Sequence, residues 1–131
     1  MPGTFHCTVI TPDREVLDTD ATFVVLPAHD GEIGILKGRA PLVCKLGIGI
    51  LKVDTPSAQN RLFVDGGFAQ VLNDEVTVLT AQALAPEQVD TAAATASLQA
   101  ATATHPTDPE GQLKREQDLA RARAKLKLAG G

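Results

Sequence analysis

Three histidines are the residues of this chain best suited to acid–base or metal chemistry, and their spacing matches no known site. His6, His29 and His105 lie far apart in the sequence, and none has a cysteine or carboxylate at a recognised metal-ligand spacing. His29 precedes Asp30, but a lone dipeptide is a weak catalytic signal, and an exposed loop pair is the favoured interpretation. The chain also has no glycine-rich phosphate loop with lysine and no Gly-x-Ser-x-Gly elbow. We therefore predict no catalytic site and no metal site.

The two cysteines are predicted to be buried thiols. Cys7 and Cys44 each lie among Val, Ile and Leu, as small core residues do, and two cysteines are too few for a disulfide scaffold. No apolar run approaches the roughly 20 residues that span a bilayer, and the amino terminus has no signal-peptide pattern. The sequence predicts a cytosolic protein.

The net charge of −4 is unevenly distributed along the chain. Residues 1–85 carry six bases and ten acids, residues 86–111 carry four acids and no base, and residues 112–131 carry six bases and two acids. The last segment is thus +4 and follows a segment of −4, so the two can attract each other if they pair. The basic segment has no aromatic residue and the sequence pI is near 5.2, which disfavours a nucleic-acid binder.

Residues 5–81 have the pattern of an antiparallel β domain. Runs of β-branched and apolar residues at 5–10, 23–26, 47–53, 61–65, 68–72 and 75–80 are separated by Gly, Pro, Asp and Asn. Asn73-Asp74 is a tight-turn signal between the last two runs. Because no helical segment separates the runs, only hairpins or short arches can join them. The prediction is an antiparallel β-sandwich or flattened barrel over residues 1–84.

After Leu84 the composition changes to that of two helices. Pro86 suits a first helical position, with acids in the first turn, and an Ala-rich stretch runs from there to about Thr104. Its predicted buried stripe contains one residue larger than alanine and consists of Val89, Ala92, Ala93, Ala96, Ala100 and Ala103. Since alanine buries little apolar area, this helix should pack weakly.

The second helix follows a turn at residues 105–111. Asp108 is a suitable cap, with Pro109 at the first helical position, and the helix is predicted to end near Leu128. Its predicted apolar face contains Leu119, Ala122, Leu126 and Ala129. A link of seven residues joins the helices as an antiparallel hairpin. The predicted fold class is therefore α+β, with an N-terminal sandwich (1–84) and a C-terminal two-helix hairpin (85–131).

Two segments of the β domain resemble one protein family. Residues 30–43, DGEIGILKGRAPLV, resemble the signature of the epsilon subunit of F-type (F1Fo) ATP synthase, the counterpart of the mitochondrial delta subunit. Residues 64–71, VDGGFAQV, followed by Asn73 and by 76–79, VTVL, resemble the Gly-Gly strand pair that closes the same domain. The resemblance implies a non-catalytic central-stalk subunit that couples the gamma subunit to the c-ring. Its expected location is the cytoplasmic face of a bacterial plasma membrane, with membrane contact only through the complex.

The resemblance also implies where partners bind. The first signature is predicted to be an exposed, ordered loop, and its charged residues Asp30, Glu32, Lys37 and Arg39 are the candidate contacts with the c-ring. Their charges alone would favour a solvated loop. Gly66-Gly67 is predicted to form a bulge or sheet corner, on a face that the family places near the gamma subunit.

The hairpin is implied to be a switch that restrains ATP hydrolysis. A helix pair held mostly by alanine should be marginally stable against the domain, so it can exchange partners. In the family it lies folded on the sandwich or extends into the alpha/beta catalytic head. Arg121, Arg123 and Lys125 are the candidate contacts with an acidic surface there. The sequence leaves both positions open, and it does not distinguish proton from sodium coupling or a bacterial from a plastid source.

A regulatory nucleotide is the remaining ligand to consider. Some members of the resembled family bind ATP in the folded hairpin through an aliphatic-Asp step followed by Arg-Ala. Here Val89-Asp90 matches, but Ala93 stands where the arginine would be. Asp90, Arg121 and Lys125 are the candidate ligands for regulatory ATP, and the expectation is no cofactor, because a bidentate phosphate partner is missing. The alternative to the stalk function is a β-sandwich adaptor whose helical tail binds another protein.

Overall fold

The computed structural model describes residues 3–130, where eight strands precede two helices. The strands are β1 (Phe5–Ile10), β2 (Glu15–Ala21), β3 (Phe23–Ala28), β4 (Gly31–Ile35), β5 (Leu42–Asp54), β6 (Gln59–Leu72), β7 (Glu75–Leu79) and β8 (Ala83–Leu84). A 3-10 turn (Pro86–Gln88), α1 (Thr91–Ala103) and α2 (Pro109–Gly130) follow. The α+β class is confirmed. Of the predicted domains, 1–84 and 85–131, residues 1, 2 and 131 lie outside the described part.

The strands form one sheet that folds over on itself without closing. Its order is β2-β1-β7-β6-β5-β3-β4, with β8 pairing to β6. The two long strands β5 and β6 belong to both layers: β1, β2 and β7 complete one layer, and β3, β4 and β8 complete the other. All pairs are antiparallel except β1 with β7, which are parallel. The predicted antiparallel β-sandwich is confirmed, with this one parallel pair, because β1 lies beside β7, from which most of the domain separates it in sequence.

The core lies between the two layers, and the layers meet at a glycine corner. Leu26, Leu51 and Val64 are among its fully buried side chains. The pairing of β5 with β6 passes from Leu46 opposite Gly67 to Ile48 opposite Asp65, with a break between them. Gly66 and Gly67 both have positive φ, which confirms the predicted corner.

Two predictions in the β domain were wrong, one about where a strand ends and one about a loop. Residues 61–65 and 68–72 belong to a single strand, β6, which bends at the corner instead of ending there. The segment 30–43 is not wholly a loop, since β4 lies inside it and pairs with β3. In β4, Ile33 and Ile35 point inward between exposed residues, so the strand is held by two side chains and by its backbone ladder.

The cysteine prediction holds for one of the two residues. Cys7 is buried in β1, and this burial raises the pKa of its thiol to about 12. Cys44 is only half-buried, near the start of β5, and burial is also the main cause of its raised pKa. Both thiols are free.

The helices begin and pack differently from the predicted pattern. The 3-10 turn takes up residues 86–88, and α1 starts only at Thr91, where Asp90 accepts a hydrogen bond from the Ala93 amide at 3.0 Å. The predicted stripe of α1 was wrong: its buried residues are Ala94 and Ala101, and the predicted alanines are exposed. The buried side of α1 is set by its packing against α2.

The second helix agrees better with its prediction. Asp108 accepts the Gly111 amide at 3.1 Å, as expected of the cap, and Pro109 is the first helical residue. Leu119 and Ala122 are buried as predicted, but Leu128 takes the place expected of Leu126, which is half-buried together with Ala129. The helix therefore presents a slightly rotated face to its neighbours near its C-terminal end.

Candidate partner-binding surfaces and the hairpin interface

The hairpin is docked on the sandwich through α2. This helix contacts β5, β6 and α1, and its buried residues are Leu119, Ala122 and Leu128. The Lys125 ammonium lies 5.1 Å from the centre of the Phe63 ring, a cation–π distance. Few large apolar side chains are buried here, so the docked state rests on a small apolar area and on charges.

The charged contact is an ion pair between Arg121 and Asp65. Arg121 Nε donates to Asp65 Oδ2 at 2.9 Å, with side chains 35% and 20% exposed. The Asp65 amide donates to the Thr80 hydroxyl at 3.1 Å and to the Gln82 carbonyl at 3.2 Å, which fixes the backbone beside the glycine corner. We call the Arg121–Asp65 pair the latch. Its carboxylate comes from the β domain and its guanidinium from the hairpin.

A second carboxylate extends the latch along α2. Asp118 accepts from Arg121 at 3.2 Å and from Lys114 at 2.8 Å. The hydrogen bond from Lys114, followed by the positive charges of Lys114 and Arg121, holds the pKa of Asp118 below its usual value. Asp118 is therefore an ionised partner that aligns Arg121 toward Asp65.

The residues considered for nucleotide binding line one groove. The groove, of about 730 Å³, lies between α1, α2 and the end of the β domain. Asp90, Arg121, Lys125 and Ala93 are all among its lining residues, so the structure brings the three sequence candidates together. Asp90 already caps α1, and Arg121 already binds two carboxylates. Of the three basic residues proposed for the catalytic head, Arg123 is exposed, whereas Arg121 and Lys125 face the β domain.

The four charged residues of the first signature do not form one cluster. Asp30 lies in the turn between β3 and β4, Glu32 lies on β4, and Lys37 and Arg39 follow its far end. All four are exposed. A strand of this length spans roughly 17 Å, so the two acids and the two bases lie toward opposite ends of β4. The Gly38 amide donates to the Asp74 carboxylate at 2.8 Å, which ties the basic end to the β6–β7 turn.

One outward layer of the sheet exposes large apolar side chains that the sequence analysis did not single out. Val43, Phe68, Leu79 and Leu72 are 69%, 57%, 51% and 42% exposed. The strand registers bring Phe68 opposite Leu79, and Lys45 opposite Phe68. We call this surface, formed by β2, β1, β7 and the adjoining halves of β6 and β5, the outer face. The signal for it was present in β6, where apolar residues occur at successive positions instead of alternating with polar ones.

His6 lies on the outer face between two carboxylates of the neighbouring strand. Its Nε2 contacts Asp18 and its Nδ1 contacts Asp20 at 3.3 Å. The hydrogen bond to Asp20, with further contributions from both negative charges, raises the pKa of His6. The hydrogen bond and charge of Asp18 also raise the pKa of Glu15, the next acid along β2. This edge of the face thus has a strongly negative potential.

A His6→Gln variant is expected to lose stability only at acidic pH. Because the folded-state pKa of His6 is raised, its contribution is fully present below the unfolded value of 6.5 and disappears as the pH rises through the folded value. Thermal unfolding of both chains, followed at about pH 5.5 and about pH 8.5, should give different midpoints at the lower pH and similar ones at the higher. Equal differences at both pH values would show that charge is not involved.

The described part of the chain contains neither a metal-binding group nor a membrane-spanning helix. Within residues 3–130, no group of three or more His, Cys, Asp or Glu side chains is arranged to hold a metal ion. None of the described helices is both long and apolar enough to cross a bilayer.

Comparison with known proteins gives one consistent family. Residues 4–86 match the family model described as ATP synthase, Delta/Epsilon chain, beta-sandwich domain. An ATP synthase epsilon chain of Rhodopirellula baltica is 43% identical over 124 residues, covering 95% of this chain and 97% of the relative. An ATP synthase epsilon chain of a Synechococcus strain is 44% identical over 123 residues, covering 92% of this chain and 90% of the relative. A chloroplastic epsilon chain of Guillardia theta is 37% identical and covers 92% of this chain.

Two solved structures share the fold. A chain in the cryo-EM structure of the Euglena gracilis mitochondrial ATP synthase (OSCP/F1/c-ring) superposes with a TM-score of 0.86 at 24% identity, covering 100% of this chain and 84% of that one. A chain in the Tetrahymena thermophila mitochondrial ATP synthase central stalk/c-ring structure gives a TM-score of 0.73 at 13% identity, covering 98% of each. At these identities the likeness establishes the fold alone.

Proposed function

This chain belongs to the ATP synthase delta/epsilon family as an epsilon chain, and from that membership we propose that it is a non-catalytic subunit of the central stalk. In this proposal it joins the gamma subunit to the c-ring and restrains ATP hydrolysis when its hairpin reaches the alpha/beta catalytic head. It works at the cytoplasmic face of a bacterial plasma membrane, which it touches only through the complex. It takes part in proton-driven ATP synthesis without a catalytic site of its own.

The exposed apolar outer face is the observation that carries this proposal. Val43, Phe68 and Leu79 form a contiguous surface of a kind that soluble domains usually cover with a partner. The face lies on the side of the sheet opposite the core, so a rigid partner can dock without disturbing the domain. We assign it to the gamma subunit, because the stalk function requires one permanent interface on the β domain.

The c-ring contact is assigned to the ends of the β4 hairpin. Asp30, Glu32, Lys37 and Arg39 remain the proposed contacts, supported by their exposure. The basic end also carries Leu36, which is exposed beside them, and is tied to the β6–β7 turn. An ordered end with charges and one apolar side chain suits a contact with short polar loops.

Restraint of hydrolysis is assigned to the hairpin. Its helices bury few large side chains, and its basic residues can engage an acidic partner in another position. Arg121, Arg123 and Lys125 remain the proposed contacts with the catalytic head. Because Arg121 and Lys125 face Asp65 and Phe63 in the docked state, only an undocked hairpin can use all three.

Removing residues 86–131 is expected to raise ATP hydrolysis by an F1 complex that is otherwise intact. The chain with and without these residues would be added to F1 depleted of epsilon, and the steady-state ATPase rate would be measured. A coupling of 1 kcal/mol or more between hairpin position and hydrolysis corresponds to a change of about fivefold or more.

In the same assay, the full-length variant R121Q/R123Q/K125Q separates the effect of the three positive charges from the effect of removing the whole hairpin. It should raise the rate nearly as far as the truncation if the basic residues make the contact. An unchanged rate for the truncated chain would rule out the restraint, while leaving the stalk interface unaffected.

Regulatory ATP is the weaker proposal for the groove beside the hairpin. Asp90, Arg121 and Lys125 line it together, which favours the idea. Ala93 supplies no guanidinium, and Arg121 would have to leave two carboxylates to bind a phosphate. We therefore propose that the chain works without a bound nucleotide. Equilibrium dialysis that detects ATP on the isolated chain would contradict this.

A further inference from the structure

We infer that the gamma subunit, when it docks on the outer face, places basic side chains over the β2 edge of that face. The acidic edge then fixes the orientation in which the gamma subunit docks. The inference rests on the proposed gamma interface and deepens it. The proposed interface requires only an apolar surface, whereas this inference specifies the charge of the partner and its position.

The strand registers show how charge is arranged on the outer face. From β2 toward β5, three outward rows cross the strands: Asp20, His6, Glu75, Leu72; then Asp18, Thr8, Thr77, Gln70, Val43; then Glu15, Ile10, Leu79, Phe68, Lys45. Each row begins with an acid on β2, and the large exposed apolar residues of the rows lie on β7, β6 and β5, namely Leu79, Leu72, Phe68 and Val43. Lys45 stands at the opposite edge from these acids. The face therefore has an acidic side and an apolar side.

The acidic side is accessible and carries excess negative charge. β2 is the end strand of the sheet and pairs only with β1 among the described strands. Asp18 and Asp20 flank His6, and Glu15 and Glu75 lie close to the same group. Even with His6 protonated, four carboxylates face one cation. The raised pKa of His6 is itself a sign of this unbalanced field.

The apolar and acidic parts of one surface have different consequences for binding. The apolar centre supplies most of the affinity when it is desolvated. Charges at the edge contribute chiefly to the association rate and to the choice of orientation, and misplaced like charges are penalised. An apolar patch alone would tolerate a partner turned about the face, whereas a one-sided acidic edge selects a partner that is basic on that side.

The test measures association of the full chain with the purified gamma subunit of the same complex at low and at physiological ionic strength. The D18N/D20N variant removes two charges from the edge, and the matched control E110Q/E116Q removes two charges from the exposed start of α2. We expect D18N/D20N to associate about fivefold more slowly at low salt, with a weaker salt dependence than the wild type. The control should behave as the wild type does.

Two further variants make each outcome decisive. E75Q leaves both contacts of His6 in place, so a slower association of E75Q supports the charge effect even where D18N/D20N lowers the unfolding temperature. F68S tests the apolar centre on which the proposed function depends. If F68S loses affinity while D18N/D20N and E75Q match the control, the acidic-edge inference is wrong and the gamma interface stands. If F68S binds as the wild type does, the proposed interface itself fails.

Discussion

A Gly67→Ala variant is expected to lose about 3 to 5 kcal/mol of unfolding free energy, enough to threaten folding of the β domain. Gly67 has a φ of +103°, and a Cβ built there would lie 1.9 Å from the Leu79 carbonyl oxygen and 2.9 Å from the Thr80 Cα. Both neighbours are backbone, so they cannot rotate away as a flexible side chain could. The corner of β6 must therefore open, and β7, which pairs with it, must shift.

The matched control is Gly38→Ala. Gly38 also has a positive φ, +84°, but no atom lies within 4 Å of a Cβ added there. Its substitution should cost only the left-handed backbone strain, about 1 kcal/mol. Urea unfolding followed by circular dichroism gives both values, and their difference isolates the clash. Equal losses in the two variants would mean that the corner relaxes freely and that close packing at Gly67 is unimportant.

Features set by neighbours in sequence could be predicted from the sequence. Asn73-Asp74 forms the expected turn, with both residues at positive φ, because a tight β connection needs residues that tolerate this conformation. Asp108 caps α2 because its carboxylate needs only the amide three residues later. The corner at Gly66-Gly67 was predictable from the glycine pair itself, whereas the close approach of the Leu79 backbone to Gly67 is set by the pairing with β7.

Features set by distant parts of the chain could not be predicted in the same way. β4 has too few inward side chains to be distinguished from a loop until β3 lies beside it. The buried side of α1 depends on where α2 meets it, and a helix rich in alanine gives little hydrophobic contrast to indicate that side. The parallel pairing of β1 with β7 joins segments that most of the β domain separates in sequence.

The candidate site likewise contains residues that could be identified from the local sequence and residues that depend on tertiary packing. Arg121 and Lys125 could be identified from the basic segment alone, but Asp65 and Phe63 could not, because they become their partners only when α2 crosses β6. The outer face needed the strand registers, since exposure of Phe68 and Leu79 follows from which layer covers each side of the sheet. Family resemblance provided the partners, whereas tertiary packing determined which side chains are available to them.

Breaking the latch is expected to undock the hairpin. Arg121→Met keeps much of the length and packing of the side chain but removes its bonds to Asp65 and Asp118. A hydrogen bond to a charged group contributes about 1.5 to 3 kcal/mol, and solvent screening of this partly exposed pair favours the lower end. Undocking should therefore become roughly tenfold easier, and amide hydrogen exchange in α2, measured by mass spectrometry, should accelerate by a similar factor.

Asp65→Asn and the double variant complete a cycle that assigns the effect to the pair. If the latch acts as described, the double variant should lose less than the sum of the two single losses, because the second change removes a partner that is already gone. Arg123→Met is the control for helix propensity, since Arg123 lies two positions away in α2 and is exposed. If the losses of docking stability in the two single variants are strictly additive, the docked hairpin is stabilised by its small apolar interface and not by the latch. A measurable coupling would instead mean that the docked state holds Arg121 away from any other acidic surface, so that ionic strength alone shifts the hairpin toward its undocked position.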